Sequence, residues 1–224
     1  MRFRDYPARG RPTGLTAELE ELMVLTYGAI ESTNVERWAL EFGAAVPPIL
    51  PGTMRRSAYE TDVVGSIHRL GQRYWERRGE AAVWERPFPT GDQGRPPAID
   101  ISLFNATEGR ETRIEFGMYS TTAKGTLTTK KLADDSAKLL ELATRTEDDY
   151  PNVENFAVLW HTFRSSMTNR RRRDLRQTLN DHARSVSSDV LSVELLVTSG
   201  GHLFASDQGQ HHWVAIGLFR IAAP

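Results

Sequence analysis

The stretch AIDISLFNATEGRETRIEFGMY, residues 98–119, decides the fold. It reads as two strands, 98–104 and 112–119, joined by the polar, Gly-bearing turn NATEGRE. Each strand is mostly apolar and β-branched or aromatic, and each carries one carboxylate near its middle, Asp100 and Glu115. A carboxylate in an apolar strand is costly unless it has a partner, and two close carboxylates attract a divalent cation.

Working outward, residues 129–144 read as a helix with Leu132, Leu139, Leu140 and Leu142 as its apolar content. Upstream, PTGDQGRPP is a loop, AAVWERP (81–87) a short strand, and 57–78 a helix whose stripe is Val63, Val64, Ile67, Leu70 and Tyr74. Ser57 and Glu60 have the spacing of a capping box. Downstream, ENFAVLW (154–160) reads as a buried strand, 169–185 as a very basic helix, and 190–198 and 211–221 as the last strands, with SGGHLF (199–204) as a turn between them.

At the N-terminal end, 15–32 reads as a helix with Thr16 as its N-cap, and 34–44 as a second, shorter one. PPILPG (47–52) then breaks the chain. MRFRDYPARGRPTG has charge but no apolar stretch after it, so it reads as a frayed tail rather than a secretory signal. The order predicts an α/β protein: a mixed central sheet flanked by helices, with an N-terminal helical extension (1–52) before a core domain (53–224).

Bulk composition narrows the function classes. The chain has 224 residues, 39% hydrophobic and 25% charged, with a net charge of -1. That is an ordinary globular composition, and it points neither toward nor away from nucleic acid. There is no Cys, which excludes disulfides and thiolate metal sites and suits a reducing, cytoplasmic setting. No apolar run approaches the roughly 20 residues that span a bilayer.

The order helix, three strands, helix, strand, with Glu60 on the first helix, Asp100 on the second strand and Glu115 on the third, resembles the PD-(D/E)XK nuclease superfamily and its restriction-endonuclease-like fold. The resemblance spans roughly residues 57–200. It implies Asp100 and Glu115 as ligands of Mg²⁺ or Mn²⁺, Glu60 as the acid contributed by the first helix, and hydrolysis of phosphodiester bonds in DNA. It also implies a possible homodimer, since double-strand cuts are often made by pairs. The chain departs from the pattern at Gly117, where the family has the Lys of its Glu-x-Lys motif. That Lys helps position the attacking water and stabilises charge on the phosphate. An active chain then needs a cation from elsewhere. Lys124, Lys130 and Lys131 are the candidates, and Lys131 is favoured because it starts the following helix. If no Lys replaces it, the chain is a nuclease-like module that binds DNA or a protein without cutting. A third possibility is an α/β binding protein whose acids are structural.

Other features carry less. Arg170, Arg171, Arg172 and Arg173 form an unbroken basic run suited to phosphate contact, because guanidinium forks bind phosphate oxygens in pairs. The bland alternative is a solvated helix face, and consecutive residues about 100° apart cannot all point one way. His211 and His212 fall on opposite faces of a strand and cannot readily share a metal. His161 and His68 read as hydrogen-bonded or face residues.

Overall fold

The structure, a computed structural model, describes residues 4–6, 16–42, 56–88, 96–119, 127–143, 149–164, 169–205 and 211–224. Seven strands form one mixed sheet. They are β1 (Arg4–Tyr6), β2 (Glu80–Pro87), β3 (Ala98–Asn105), β4 (Arg110–Met118), β5 (Asn152–Arg164), β6 (Ser192–Ala205) and β7 (His211–Ala222). Their spatial order is β1-β6-β7-β5-β4-β3-β2. The helices are α1 (Ala17–Phe42), α2 (Arg56–Arg77), α3 (Lys130–Ala143) and α4 (Asn169–Val186).

β2, β3 and β4 form an antiparallel meander. At its second turn the Asn105 carboxamide oxygen accepts the N–H groups of Thr107 and Glu108 at 3.1 Å, and Gly109 adopts φ 57°. α3 is then the crossover to β5, which runs parallel to β4. β5 is the central strand of the sheet, and residues 155–160 are buried on both faces, as expected for a strand covered on both sides. β7 and β6 add antiparallel beyond it.

The alternation of strand side chains divides the core into two. Phe156, Val158 and Trp160 of β5 pack with Ile30 of α1 and Val63 and Ile67 of α2. Ala157 and Leu159 pack with Leu132, Leu139 and Leu142 of α3 and Leu179 of α4. The protein is therefore an α/β structure with a mixed sheet between two helical layers. No helix among the described residues is long and apolar enough to cross a membrane.

Four local expectations are corrected. The pair of helices expected over 15–32 and 34–44 is one helix, α1. Its polar Ser32 and Thr33 do not break it: Ser32 donates to the Ala29 carbonyl at 3.2 Å, and Thr33 meets Ser66 of α2 at 3.4 Å. The first residues are not wholly a tail, because β1 pairs with β6, Arg4 opposite Gly200. SGGHLF is not a turn but the second half of β6. Its glycines serve close packing: a Cβ on Gly200 would lie 2.3 Å from the Val214 carbonyl oxygen, and one on Gly201 2.6 Å from the Tyr27 ring. Glu60 does not complete a capping box, since α2 starts at Arg56 and the carboxylate is engaged with β4 and α3. The Ser57 side chain lies outside the described residues. The Thr16 cap does form, accepting from Leu19 N–H at 3.4 Å.

The Tyr27 ring lies over Gly201 while its hydroxyl donates to the His202 carbonyl at 2.7 Å. Gly201→Ala should therefore force that ring away and cost roughly 1–3 kcal/mol through overpacking. Urea unfolding checks this: a lower midpoint at unchanged slope is expected, and an unaltered midpoint would refute the packing role.

Candidate functional site

The site begins where two strands part. The β3–β4 register runs Asn105 opposite Arg110 through to Ile101 opposite Ile114, and there it ends. The next residues outward are Asp100 and Glu115. Beyond that point β4 has no paired strand on its β3 side among the described residues, and carboxylates take over. Asp100 Oδ2 accepts from Phe116 N–H at 2.7 Å, and Glu60 Oε2 accepts from Met118 N–H at 3.0 Å. Glu60 comes from α2, in the layer opposite α3, and meets α3 at this opening: Lys131 Nζ donates to Glu60 Oε1 at 3.1 Å.

Gly117 lies between these two hydrogen-bonded positions. A Cβ built there would fall 2.0 Å from Lys131 Cε and 3.0 Å from Lys131 Nζ. The Lys131 side chain thus occupies the space that a side chain at 117 would fill. The missing side chain and the lysine are two parts of one arrangement. Lys131 also pairs with Asp135 at 3.2 Å, so its ammonium is held between two carboxylates. Desolvation works to lower its pKa, but Asp135 and Glu60 outweigh it and the net shift is upward.

A second lysine reaches the other acid. Lys138 Nζ lies 2.5 Å from Glu115 Oε2 and 2.9 Å from the Ala98 carbonyl oxygen. Lys131, Asp135 and Lys138 are spaced i, i+4 and i+7, so they share one side of α3, beside its buried stripe of Leu132, Leu139 and Leu142. The resemblance pointed to Glu60, Asp100, Glu115 and Lys131, and all four meet at this opening. Asp135 and Lys138 were not among the expected site residues, although their helical spacing from Lys131 was the signal that could have added them. Lys130 is exposed and pairs with Asp134 at 2.7 Å, and Lys124 lies outside the described residues.

Charge does not balance here. Among the described residues, four carboxylates face two ammonium groups. Glu115 is 1% exposed, with Oε1 buried and unpartnered, and Asp135 Oδ2 is likewise buried and unpartnered. Desolvation pushes the Glu115 carboxyl well above the usual range, reinforced by Asp100 and Asp135 against the opposing pull of Lys138. Asp100 is also raised, by desolvation above all. Asp135 is raised to about 7, again mainly by desolvation, with Lys131 acting in the opposite direction.

Glu111, two residues before Arg113 on the same strand, is the contrast. It is buried, yet its pKa is lowered: desolvation raises it, but Arg113 and Arg86 outweigh that. Arg113 donates to both Glu111 oxygens at 2.8 Å, and Arg86 pairs with the same carboxylate. Arg113 therefore belongs to Glu111 and is not the partner of Glu115. Glu111, with full partners, falls in pKa; Asp100, Glu115 and Asp135 rise, as expected of buried groups short of positive charge.

Among the described residues no three His, Asp or Glu side chains gather closely enough to hold a metal together. Two carboxylates with free coordination oxygens are a sufficient protein share for Mg²⁺, which keeps several waters and uses substrate phosphate as a further ligand. The unpartnered Glu115 oxygen, the adjacent Asp100 carboxylate and their raised pKa values fit such an ion.

The remaining candidates lie elsewhere. Arg173 is exposed at the start of α4, and the side chains of Arg170, Arg171 and Arg172 are outside the described residues, as are those of His211 and His212. His161 stacks on Phe163, and His68 lies between Trp75 and Trp84. A separate crevice, open to solvent, is lined by Trp75, Arg78, Glu80 and Arg110 among others and shares no residue with the acid cluster. Its arginines are engaged by glutamates, Arg78 by Glu21 and Glu80, Arg110 by Glu80, Glu108 and Glu154, and Arg220 by Glu194. Set against known protein families, characterised proteins and solved structures, the chain matches none.

The raised acids make a pH prediction. A folded-state pKa of about 7 for Asp135, against an ordinary 3.8, means the folded chain holds an extra proton between these values. Stability without metal therefore falls as pH rises through that window. Asp135→Asn removes this loss. In chelator, it should raise stability at pH 8 by on the order of 2 kcal/mol, about 4–8 °C in Tm, and by much less at pH 5. Thermal melts at the two pH values check this; a variant less stable than wild type at pH 8 would show that the Lys131 pair dominates instead.

Proposed function

We propose that the chain is a metal-dependent nuclease that hydrolyses phosphodiester bonds in DNA, with its active site at the opening between β3 and β4. The observation that carries this reading is Lys131 lying over Gly117. In the family the sequence resembles, a Lys side chain at that strand position points into the site. Here the strand position is empty of side chain and a lysine from α3 fills the same space, which supports a relocated cation rather than a lost one.

The resemblance extends to topology, with an antiparallel meander, a helical crossover and a parallel fourth strand following an acid-bearing helix. In this reading Asp100 and Glu115 bind the cation, Mg²⁺ or Mn²⁺. When bound, the cation supplies Lewis acidity toward water and phosphate. Lys131 places a fixed positive charge beside the phosphate, where negative charge grows as the water oxygen bonds to phosphorus and the P–O ester bond breaks. Glu60 and Asp135 aim that ammonium from two sides, and the backbone hydrogen bonds from Phe116 to Asp100 and from Met118 to Glu60 fix both acids to β4. The basic start of α4, with Arg173 exposed, supports a polyanionic substrate. Homodimer formation belongs to the same reading, as does a cytoplasmic setting.

The Lys138–Glu115 pair favours a second reading. An ammonium already on the acid that should bind metal is what a catalytically degenerate, DNA- or protein-binding module would retain. Nicking of supercoiled plasmid with Mn²⁺ separates the two. Lys131→Ala should lower the nicking rate roughly 10²–10³-fold, the scale of losing one positioned charge-stabilising group, while Mn²⁺ affinity measured by calorimetry stays within a few-fold. Asp100→Ala should abolish both binding and nicking. A wild-type chain that binds Mn²⁺ and cuts nothing would leave the degenerate module standing.

A further inference from the structure

The two lysines of the site are held in different ways. Lys131 is pinned: two carboxylates grip its ammonium, and its stem is seated where Gly117 lacks a side chain. Lys138 is held only at its tip, by Glu115 Oε2 at 2.5 Å and the Ala98 carbonyl oxygen at 2.9 Å, and its side chain is 29% exposed. The Lys131 side chain is 24% exposed, so the difference lies in the grip: one carboxylate holds the Lys138 ammonium where two hold that of Lys131.

We infer that Lys138 is a resident counter-cation: its ammonium holds the Glu115 position while no divalent ion is bound, and it must leave before one can enter. This rests on the metal reading of Asp100 and Glu115. Three observations carry it. The oxygens that Lys138 engages, a carboxylate and a backbone carbonyl, with Asp100 adjacent, are hard donors of the kind Mg²⁺ and Mn²⁺ take. Glu115, at 1% exposure, would be prohibitively desolvated as an anion without a cation beside it. The ammonium satisfies only half of that carboxylate, because Oε1 remains buried and unpartnered; a divalent ion can engage what Lys138 leaves open.

The consequence is competition within the chain. Divalent-ion binding includes the cost of moving Lys138 into water, so the metal-free form is stabilised and affinity is lowered by the same residue. A lysine suits this task, since its charge is a compact point on a flexible four-carbon stem, whereas an arginine fork would be harder to displace.

The test uses the full chain, stripped of metal with chelator and titrated calorimetrically with Mn²⁺. Lys138→Met and Lys138→Gln, which remove the charge while keeping a long side chain, should each bind Mn²⁺ at least tenfold more tightly than wild type. Both should melt at lower temperature than wild type in chelator, with most of the difference recovered on adding Mn²⁺. Lys138→Arg keeps the charge and should bind no more tightly than wild type. Binding by the two neutral variants but not by wild type would support the inference most directly. Wild-type binding with equal or weaker affinity in both neutral variants would overturn it and leave the metal site standing. Absence of binding in folded wild type and all three variants would overturn the inference together with the metal reading beneath it.

Discussion

The structure around the site depends on one requirement, that β4 must pair its backbone N–H groups after β3 has turned away. Buried peptide N–H groups without acceptors are costly, and nearly all find one. At Phe116 and Met118 the acceptors are the carboxylates of Asp100 and Glu60 rather than another strand. That substitution brings two acids to one strand edge, and it explains why an acid from α2 ends beside a lysine from α3. The hydrogen bonds have a cost. Each uses one carboxylate oxygen, the Asp100 charge is left in a poorly hydrated setting, and Glu115 and Asp135 add two more buried carboxyls nearby.

The protein contains two answers to buried negative charge. Around Glu111 it supplies two arginines, and the guanidinium of Arg113 also reaches the Leu142 carbonyl and stacks over Phe88. That cluster ties β4 to α3 and β2. At the opening it supplies lysines, which are fewer than the acids and partly exposed. Arginine in a rigid, fully hydrogen-bonded pair favours permanence; lysine on a mobile stem allows exchange. The two clusters lie on the same strand within five residues, so the difference reflects the chosen partners more than depth in the fold.

Much of this was legible in the sequence. The hairpin of 98–119 and the helix after it follow from alternation, turn chemistry and spacing, and they place Asp100 near Glu115; Lys131 entered as a candidate only through the family resemblance. Lys138 and Asp135 were harder to assign because a helix face shows which residues point together, not what they reach; only the register of β4 against α3 supplies that. The readings that failed did so where a local signal had a tertiary cause. The glycines of 199–204 resemble a turn, yet they are absent side chains that admit the Tyr27 ring and the β7 backbone. Ser32 and Thr33 resemble a helix break, yet one bonds back to its own helix and the other meets α2. The pairing of β1 could not be read from three residues with no neighbouring pattern, since its partner lies almost the whole chain away.

That pairing sets an order of assembly. Residues 4–6 are synthesised long before the strand they join, in which Arg4 comes to lie opposite Gly200 and Tyr6 opposite Thr198. The meander, crossover and central strand can form from neighbouring segments while synthesis continues. The first three residues of the sheet must wait for the last hairpin, because contacts between distant segments are delayed by the entropy of closing the loop between them. Until that pairing forms, the outer edge of β6 lacks the strand that covers it.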